Sequence, residues 1–174
     1  PDDDVVFIYA GKITPEKGPH LLVEAALKLV NEYPNVKVML VGGGKHNYKS
    51  VLNRKIKSSV FRNHFISVPA VPNEELYKYY SAADVGVWPL LCSITILEAM
   101  SCGLPVIISN NSVVVERITE GNGLMYRDWD VKDLVEKMKT MLNPKLRKNM
   151  SLKAREFAEK NDWNIISKKF LELV

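Results

Sequence analysis

The sequence predicts a doubly wound α/β fold, in which a Rossmann-like parallel sheet of about six strands carries helices on both faces. Short β-branched runs alternate with longer amphipathic segments along all 174 residues. Three of the runs are almost continuously apolar, as strands covered by helices on both faces must be. The predicted strands are 5–10, 36–41, 65–68, 85–88, 105–109 and 123–126.

Helix signals fill the intervals between these strands. Pro19 stands at the first position of a helix whose apolar residues recur at helical spacing. Asn73 is expected to cap a second helix, because acidic residues that suit the helix dipole follow it. Asp130 is expected to open a third helix. The closing segment, 144–174, is predicted to form two further helices of the same domain.

The composition is that of one globular domain over residues 1–174. Hydrophobic residues make up 47% and charged residues 25%, which excludes a disordered, collagen-like or coiled-coil chain. No apolar run reaches the roughly 18 residues that span a bilayer, and no signal-peptide pattern opens the sequence. Cys92 and Cys102 do not form a disulfide framework, so we expect a reducing, cytoplasmic location.

Basic residues are concentrated in two blocks. Segment 33–73 has seven basic residues and no acidic one, and segment 132–174 has eleven basic against six acidic residues. The net charge of the whole chain is only +4. This pattern favours a local anionic ligand or surface over duplex DNA, so no nucleic-acid partner is expected. Solvated helix faces are an equally good explanation for any single lysine in either block.

The loop after the first predicted strand is suited to a diphosphate. Gly11 allows the backbone to approach a ligand closely, and Lys12 and Lys17 place two cations in one short loop. The alternative is a surface turn with two solvated lysines. The loop is not a P-loop, and no GxGxxG sequence follows the strand, which argues against a nicotinamide-dependent dehydrogenase.

Two more strand ends carry candidate ligand-binding residues. Gly42 begins a glycine triplet that suits either close backbone approach to a ligand or a tight turn. After the fourth strand, Ser93 or Thr95 is expected to cap a helix whose free N–H groups face the ligand crevice. Glu98 lies about one turn inside that helix, where a carboxylate suits two adjacent hydroxyls such as those of ribose. It would equally complement the helix dipole.

Four segments in order, YAGKITPEKGPHLLVEA, VGGG, NEELYKYYSAADVGVWP and LEAMSCGLPVI, resemble the C-terminal domain of group 1 glycosyltransferases. These are retaining enzymes of the two-domain GT-B architecture that use nucleotide-sugar donors. The resemblance covers nearly the whole chain. It implies that the sheet is one half of a GT-B fold. We expect this chain to be one domain excised from a longer enzyme, and the alternative is a natural single-domain protein.

The resemblance also implies roles for individual residues. Lys12 and Lys17 would bind the donor diphosphate and stabilise the leaving nucleotide, and Glu98 matches the family glutamate that holds the ribose. These three residues form the expected catalytic set. The residues assigned to the donor nucleotide are Gly11, Lys12, Lys17, Gly42, Val71, Ser93, Ile94, Thr95 and Glu98.

The sequence departs from the family pattern between Pro89 and Glu98. Leu90 stands where the first glutamate of the family's E-x7-E motif is expected, and the stretch is about three residues short of the usual pattern. That glutamate normally lies beside the transferred sugar. The alternative function is therefore a non-catalytic nucleotide-sugar-binding or regulatory module.

The partners that the resemblance implies are a nucleoside-diphosphate sugar and a saccharide or lipid-linked acceptor, the acceptor being held by an N-terminal domain. No metal or other cofactor is expected, because the two lysines would take the place of a metal ion beside the diphosphate. Peripheral contact with an anionic membrane is a hypothesis for Lys145–Lys148 and for Lys168 and Lys169, and solvated helix faces are the favoured alternative for these lysines.

Overall fold

The computed structural model describes residues 3–44, 46–91, 93–111, 113, 115–119, 121–162, 165, 167–168 and 171. Six parallel strands form one sheet in the order β3-β2-β1-β4-β5-β6. The strands are β1 (Val5–Ala10), β2 (Val36–Val41), β3 (Phe65–Val68), β4 (Val85–Trp88), β5 (Val106–Ser109) and β6 (Gly123–Tyr126).

Helices cover both faces of this sheet. They are α1 (Pro19–Leu29), α2 (His46–Lys57), α3 (Leu76–Ser81), α4 (Thr95–Ser101), α5 (Val131–Thr140) and α6 (Pro144–Lys160). Helix α1 packs against α5, and α4 packs against α6. All four residues of β4 and of β5 are buried between these helices. The strand order reverses between β1 and β4, where such folds open a crevice for ligands.

The fold class and the predicted strands are confirmed. The fifth strand begins at Val106 instead of Pro105, because proline has no N–H to donate to the neighbouring strand. The carbonyl oxygen of Pro105 still accepts a hydrogen bond from Gly86 N at 2.9 Å. Pro19 begins α1 as predicted. Asp130 caps α5 by accepting a hydrogen bond from Asp133 N at 3.0 Å.

The cap predicted at Asn73 is wrong. Residues Asn73–Glu75 form a short 3-10 helix before α3, and the residue that precedes this turn is Pro72. The Asn73 side chain donates a hydrogen bond to Glu98 Oε1 instead of capping the turn. A side chain with a tertiary partner is not available for the local backbone bond that defines a cap.

Helix α2 is the element that the sequence analysis did not identify. Its apolar residues recur every four positions, at Tyr48, Leu52 and Ile56, and Leu52 and Ile56 are buried. The basic residues between them obscure this period.

The end of the chain is only partly described. The predicted closing helix after residue 161 falls mostly outside the described residues, as do Cys92 and Lys169. In the part that is described, no helix has both the length and the hydropathy of a membrane-spanning segment.

Candidate functional site

A cavity of about 590 Å³ opens at the carboxyl ends of β1 and β2. Loops after β1, β2 and β3 form its walls, together with the beginnings of α3 and α4. The lining residues are Gly11, Lys12, Thr14, Glu16, Val41, Gly42, Gly43, Gly44, Ala70, Val71, Leu76 and Thr95. Of the nucleotide-binding residues predicted from the sequence, the lining includes Gly11, Lys12, Gly42, Val71 and Thr95.

The loops after β1 and β2 continue the hydrogen bonding of the sheet beyond the strands. Gly11 N donates to Val41 O at 3.0 Å, and Ile13 N donates to Gly43 O at 2.8 Å. A Cβ on Gly42 would lie 1.9 Å from Gly11 O, and a Cβ on Gly44 would lie 2.0 Å from the Ile13 carbonyl oxygen. The close approach of the neighbouring loop therefore requires glycine at positions 42 and 44, and it brings both loops to one cavity.

The two lysines of the β1 loop occupy different positions. Lys12 is exposed at the cavity, and its carbonyl oxygen accepts a 2.7 Å hydrogen bond from the buried Tyr9 hydroxyl. Lys17 is half-buried at the end of the turn Pro15–Lys17 and is not among the cavity-lining residues in the described part of the chain. The β1 loop therefore places one cation at the cavity and a second five residues further along the same loop.

The beginning of α4 is held to the end of β1 by a buried indole. Trp88 Nε1 donates to Ala10 O at 3.1 Å and to Thr95 Oγ1 at 3.0 Å. Ser93 Oγ lies 2.5 Å from Thr95 Oγ1. The predicted cap is wrong: Ile94 precedes α4, and neither hydroxyl bonds to a free N–H of the helix. Both hydroxyls instead join the network around Trp88, which fixes Thr95 at the cavity.

Glu98 lies one turn inside α4, as predicted, and is half-buried. Its Oε1 accepts a hydrogen bond from Asn73 Nδ2 at 3.1 Å. Its Oε2 is buried and has no hydrogen-bond partner among the described residues. Burial, together with the nearby Glu98 carboxylate, raises the pKa of the Tyr80 hydroxyl, so this phenol stays protonated beside the carboxylate.

Leu90, at the position of the missing family glutamate, is packed into the protein. Its side chain is only 8% exposed, and a Cβ on Gly18 would lie 2.7 Å from its Cγ. Gly18 has φ of 73°, so the turn after Lys17 and the contact with Leu90 both favour glycine. Leu90 therefore belongs to the buried packing between this segment and the turn after Lys17.

Three hydrogen bonds hold the segment between β4 and α4. The Tyr126 hydroxyl donates to Pro89 O, Leu91 N donates to Glu16 O at 3.4 Å, and Arg117 Nη1 donates to Ser93 O at 3.3 Å. Because these donors and acceptors come from the β1 loop, β6 and the turn after β5, the segment before α4 is fixed by tertiary contacts.

Lys49 is a residue near the site that sequence reasoning missed. It projects from α2, and its Nζ donates to Gly42 O at 2.9 Å. Nearby, His20 Nδ1 and the Tyr48 hydroxyl are 2.7 Å apart, and burial lowers the pKa of His20. The helical period of α2 is the signal that could have placed Lys49 beside the glycine triplet.

No cluster of three or more His, Cys, Asp or Glu side chains that could hold a metal ion occurs among the described residues. The polar side chains that line the cavity are the Lys12 ammonium, the Glu16 carboxylate and the hydroxyls of Thr14 and Thr95. The ammonium and the hydroxyls are suited to binding an anion through charge and hydrogen bonds.

Residues 1–157 match the profile of the family described as Glycosyl transferases group 1. The chain is 26% identical to spore coat protein SA of Bacillus subtilis (strain 168), over 97% of this chain and 48% of that protein. It is 31% identical to sulfoquinovosyl transferase SQD2 of Arabidopsis thaliana, over 93% of this chain and 31% of that protein. It superimposes on Anabaena Alr3699/HepE in complex with UDP with a TM-score of 0.85 and 20% identity, over 98% of this chain and 48% of that chain.

The superposition shows the fold, and the match to the family profile together with the 31% identical relative shows the family. The chain spans between 31% and 48% of the length of these proteins. The matched residues run from before β1 into α6, so they include every loop that lines the cavity. The chain, with its Rossmann-like fold that forms one half of GT-B enzymes, therefore belongs to the group 1 glycosyltransferase family.

Proposed function

We propose that this chain is the C-terminal, donor-binding domain of a retaining two-domain glycosyltransferase. The longer protein would transfer a hexosyl group from a nucleoside-diphosphate sugar to a saccharide or lipid-linked acceptor. One observation carries the proposal: Lys12, Val71 and Thr95, from three separate loops, line the same cavity. The complex of the structurally similar Alr3699/HepE with UDP supports a nucleotide as the ligand.

The chemistry of this transfer makes cations more important than a strong base. When the bond between the sugar and the diphosphate breaks, its electron pair stays on the diphosphate oxygen. Lys12 and Lys17 would stabilise that negative charge, and the backbone N–H groups of Ile94 and Thr95 would add hydrogen bonds to the phosphates. Charge-assisted hydrogen bonds of this kind contribute roughly 1.5–3 kcal/mol each. This arrangement requires neither a metal nor another cofactor.

Leu90 supports a second candidate, a module that binds the nucleotide sugar without transferring it. The side chain is packed against Gly18, where the family pattern has a glutamate near the transferred sugar. The two candidates differ in one measurement, the turnover of a nucleotide-sugar donor by the longer protein. Transfer of the sugar to an acceptor excludes the binding module, whereas donor binding without turnover excludes the enzyme.

Binding of nucleoside diphosphates tests both candidates together. Calorimetric titration with UDP, GDP and ADP is expected to show binding of at least one of them. Lys12→Ala and Lys17→Ala are each expected to weaken that binding by about tenfold or more, because each removes a charge-assisted hydrogen bond to phosphate. Lys57→Ala, an exposed lysine of α2, is the matched control and is expected to bind as the parent does.

A failure of all three nucleotides to bind would contradict the proposed function. If a nucleotide binds but Lys12→Ala, Lys17→Ala and Lys57→Ala all bind it equally well, the diphosphate site lies elsewhere on the protein.

We also propose peripheral contact with an anionic membrane through Lys145 and Lys148 of α6. Both are exposed, and neither has an ion-pair partner among the described residues, whereas Arg147 Nε lies 3.6 Å from Asp84 Oδ1. Lys55 and Lys57 of α2 are also exposed and have no ion-pair partner among the described residues, so they serve as the comparison pair. Unpaired cations keep their full attraction for lipid phosphates, about 1 kcal/mol for each lysine at the surface.

Sedimentation with vesicles tests this contact. The chain is expected to bind vesicles that contain phosphatidylglycerol, to release them as salt rises, and to ignore pure phosphatidylcholine. Lys145→Glu with Lys148→Glu is expected to abolish the binding. Lys55→Glu with Lys57→Glu, which changes the charge equally, is expected to retain most of it. Equal loss in both double variants would mean that net charge alone controls the binding.

A further inference from the structure

The carboxylate of Glu98 presents only one of its two oxygens outside the protein interior. Oε2 is buried without a hydrogen-bond partner among the described residues, whereas Oε1 takes part in an exposed hydrogen bond with Asn73 Nδ2 at 3.1 Å. The two hydroxyls of a ribose need two adjacent acceptors. In this arrangement Glu98 alone offers one, so the proposed ribose site needs another polar group.

Asn73 is the polar side chain that is bonded to the accessible oxygen of Glu98. It lies between Val71 and Leu76, which both line the cavity, and its hydrogen bond reaches across to α4, where Thr95 is a lining residue. Asn73 and Glu98 are not themselves among the cavity-lining residues in the described part of the chain, so their bond joins the two segments at the border of the cavity. Val71, two residues before Asn73, is one of the residues that the family resemblance assigns to the donor nucleotide.

The chemistry of the amide completes the argument. Its Nδ2 is used as a donor to Glu98 Oε1, and no hydrogen bond occupies its Oδ1 among the described residues. An amide oxygen accepts two hydrogen bonds, and a carboxylate oxygen that already accepts one has capacity for another. Glu98 Oε1 and Asn73 Oδ1, held together by the Nδ2 bond, thus offer two neighbouring acceptors of the kind that a vicinal diol requires.

We propose that Asn73 is a binding and positioning residue of the ribose site, and that one ribose hydroxyl donates to Glu98 Oε1 while its neighbour donates to Asn73 Oδ1. This inference rests on the proposed function, since it concerns the same nucleotide. It assigns the ribose to a pair of side chains at the border of the cavity, one from the segment after β3 and one from α4. The protein then recognises the diol only when both segments are in place.

The ratio of affinities for ribose and deoxyribose nucleotides tests the pair. Calorimetry with UDP, 2′-deoxy-UDP and 3′-deoxy-UDP is expected to show that the parent prefers UDP over each analogue by roughly tenfold, because each missing hydroxyl leaves an acceptor unpaired. Asn73→Ala is expected to lose its preference for UDP over one of the analogues, so that this affinity ratio falls to about one. It is expected to keep most of its preference for UDP over the other analogue. If the chain selects GDP or ADP, the corresponding deoxy analogues replace those of UDP.

Two further variants separate recognition of the diol from a structural effect. Asn63→Ala removes an exposed asparagine from another short 3-10 helix, Arg62–His64, and is expected to keep both ratios. Asn73→Asp keeps an acceptor at Oδ1 but cannot donate to Glu98. The new carboxylate would repel that of Glu98. We therefore expect Asn73→Asp to lose its preference for UDP over the same deoxy analogue as Asn73→Ala does, and to lose more of it at low salt.

Two results would overturn the inference while the proposed function stands. One is an Asn73→Ala protein that keeps both ratios and binds UDP as tightly as the parent, which would show that Asn73 takes no part in binding. The other is an Asn73→Ala protein that keeps both ratios but binds UDP and both analogues more weakly by one common factor, which would show that the bond to Glu98 only holds the two segments together. If the parent binds none of the three nucleoside diphosphates, the proposed function fails and the inference falls with it.

Discussion

Replacing Gly42 with alanine is expected to lower the free energy of unfolding by about 3 kcal/mol or more, or to prevent folding. The new Cβ would lie 1.9 Å from Gly11 O, and the residue has φ of 151°, which side-chain-bearing residues rarely adopt. Gly11 belongs to the opposite loop and is itself held by a hydrogen bond to Val41 O. The clash can therefore be relieved only by separating the loops that form the cavity.

Gly43→Ala is the matched control for this substitution. Its Cβ would lie 3.4 Å from Ala70 Cβ, which is ordinary van der Waals contact, so we expect a change of less than about 1 kcal/mol. Urea unfolding followed by far-ultraviolet circular dichroism measures both variants. If the two alanine variants are equally stable, the backbone at Gly42 does not lie as close to Gly11 O as the structure places it.

The strands could be predicted from the sequence because buried strands consist almost entirely of apolar residues. Each residue of β4 and β5 is buried between two helical layers, and these segments read as short apolar runs. The beginnings of α1 and α5 were also predictable, because Pro19 and Asp130 act on the backbone of their own helices. Local chemistry determines these features, so one segment of sequence is enough to identify them.

The arrangement of the site depends on contacts between distant segments, and these could not be predicted in the same way. The triplet at Gly42 suited a ligand or a turn equally well, and only the position of the β1 loop shows that Gly42 and Gly44 accommodate a neighbouring backbone. Asn73 and Thr95 are both good capping residues, yet each bonds to a side chain elsewhere in the chain. Capping propensity describes what a residue can do locally, and a tertiary partner overrides it.

The second large effect is expected from Trp88→Phe, a substitution at the junction of β1, β4 and α4. Trp88 is 1% exposed, and its Nε1 is the donor to both Ala10 O and Thr95 Oγ1. Phenylalanine would leave a void and remove that donor. We expect the free energy of unfolding to fall by about 2–4 kcal/mol, from lost packing and from the lost hydrogen bonds.

Trp129→Phe makes the same change in a side chain that is 60% exposed, and it is expected to alter the free energy of unfolding by less than about 1 kcal/mol. Circular dichroism in urea compares the two variants without relying on tryptophan fluorescence.

Because Trp88 fixes Thr95 at the cavity, Trp88→Phe is also expected to weaken nucleoside-diphosphate binding several-fold under conditions in which it is folded. If the two variants lose stability equally, Trp88 does not hold the junction. If Trp88→Phe is less stable but binds the nucleotide as tightly as the parent, the diphosphate does not depend on the beginning of α4.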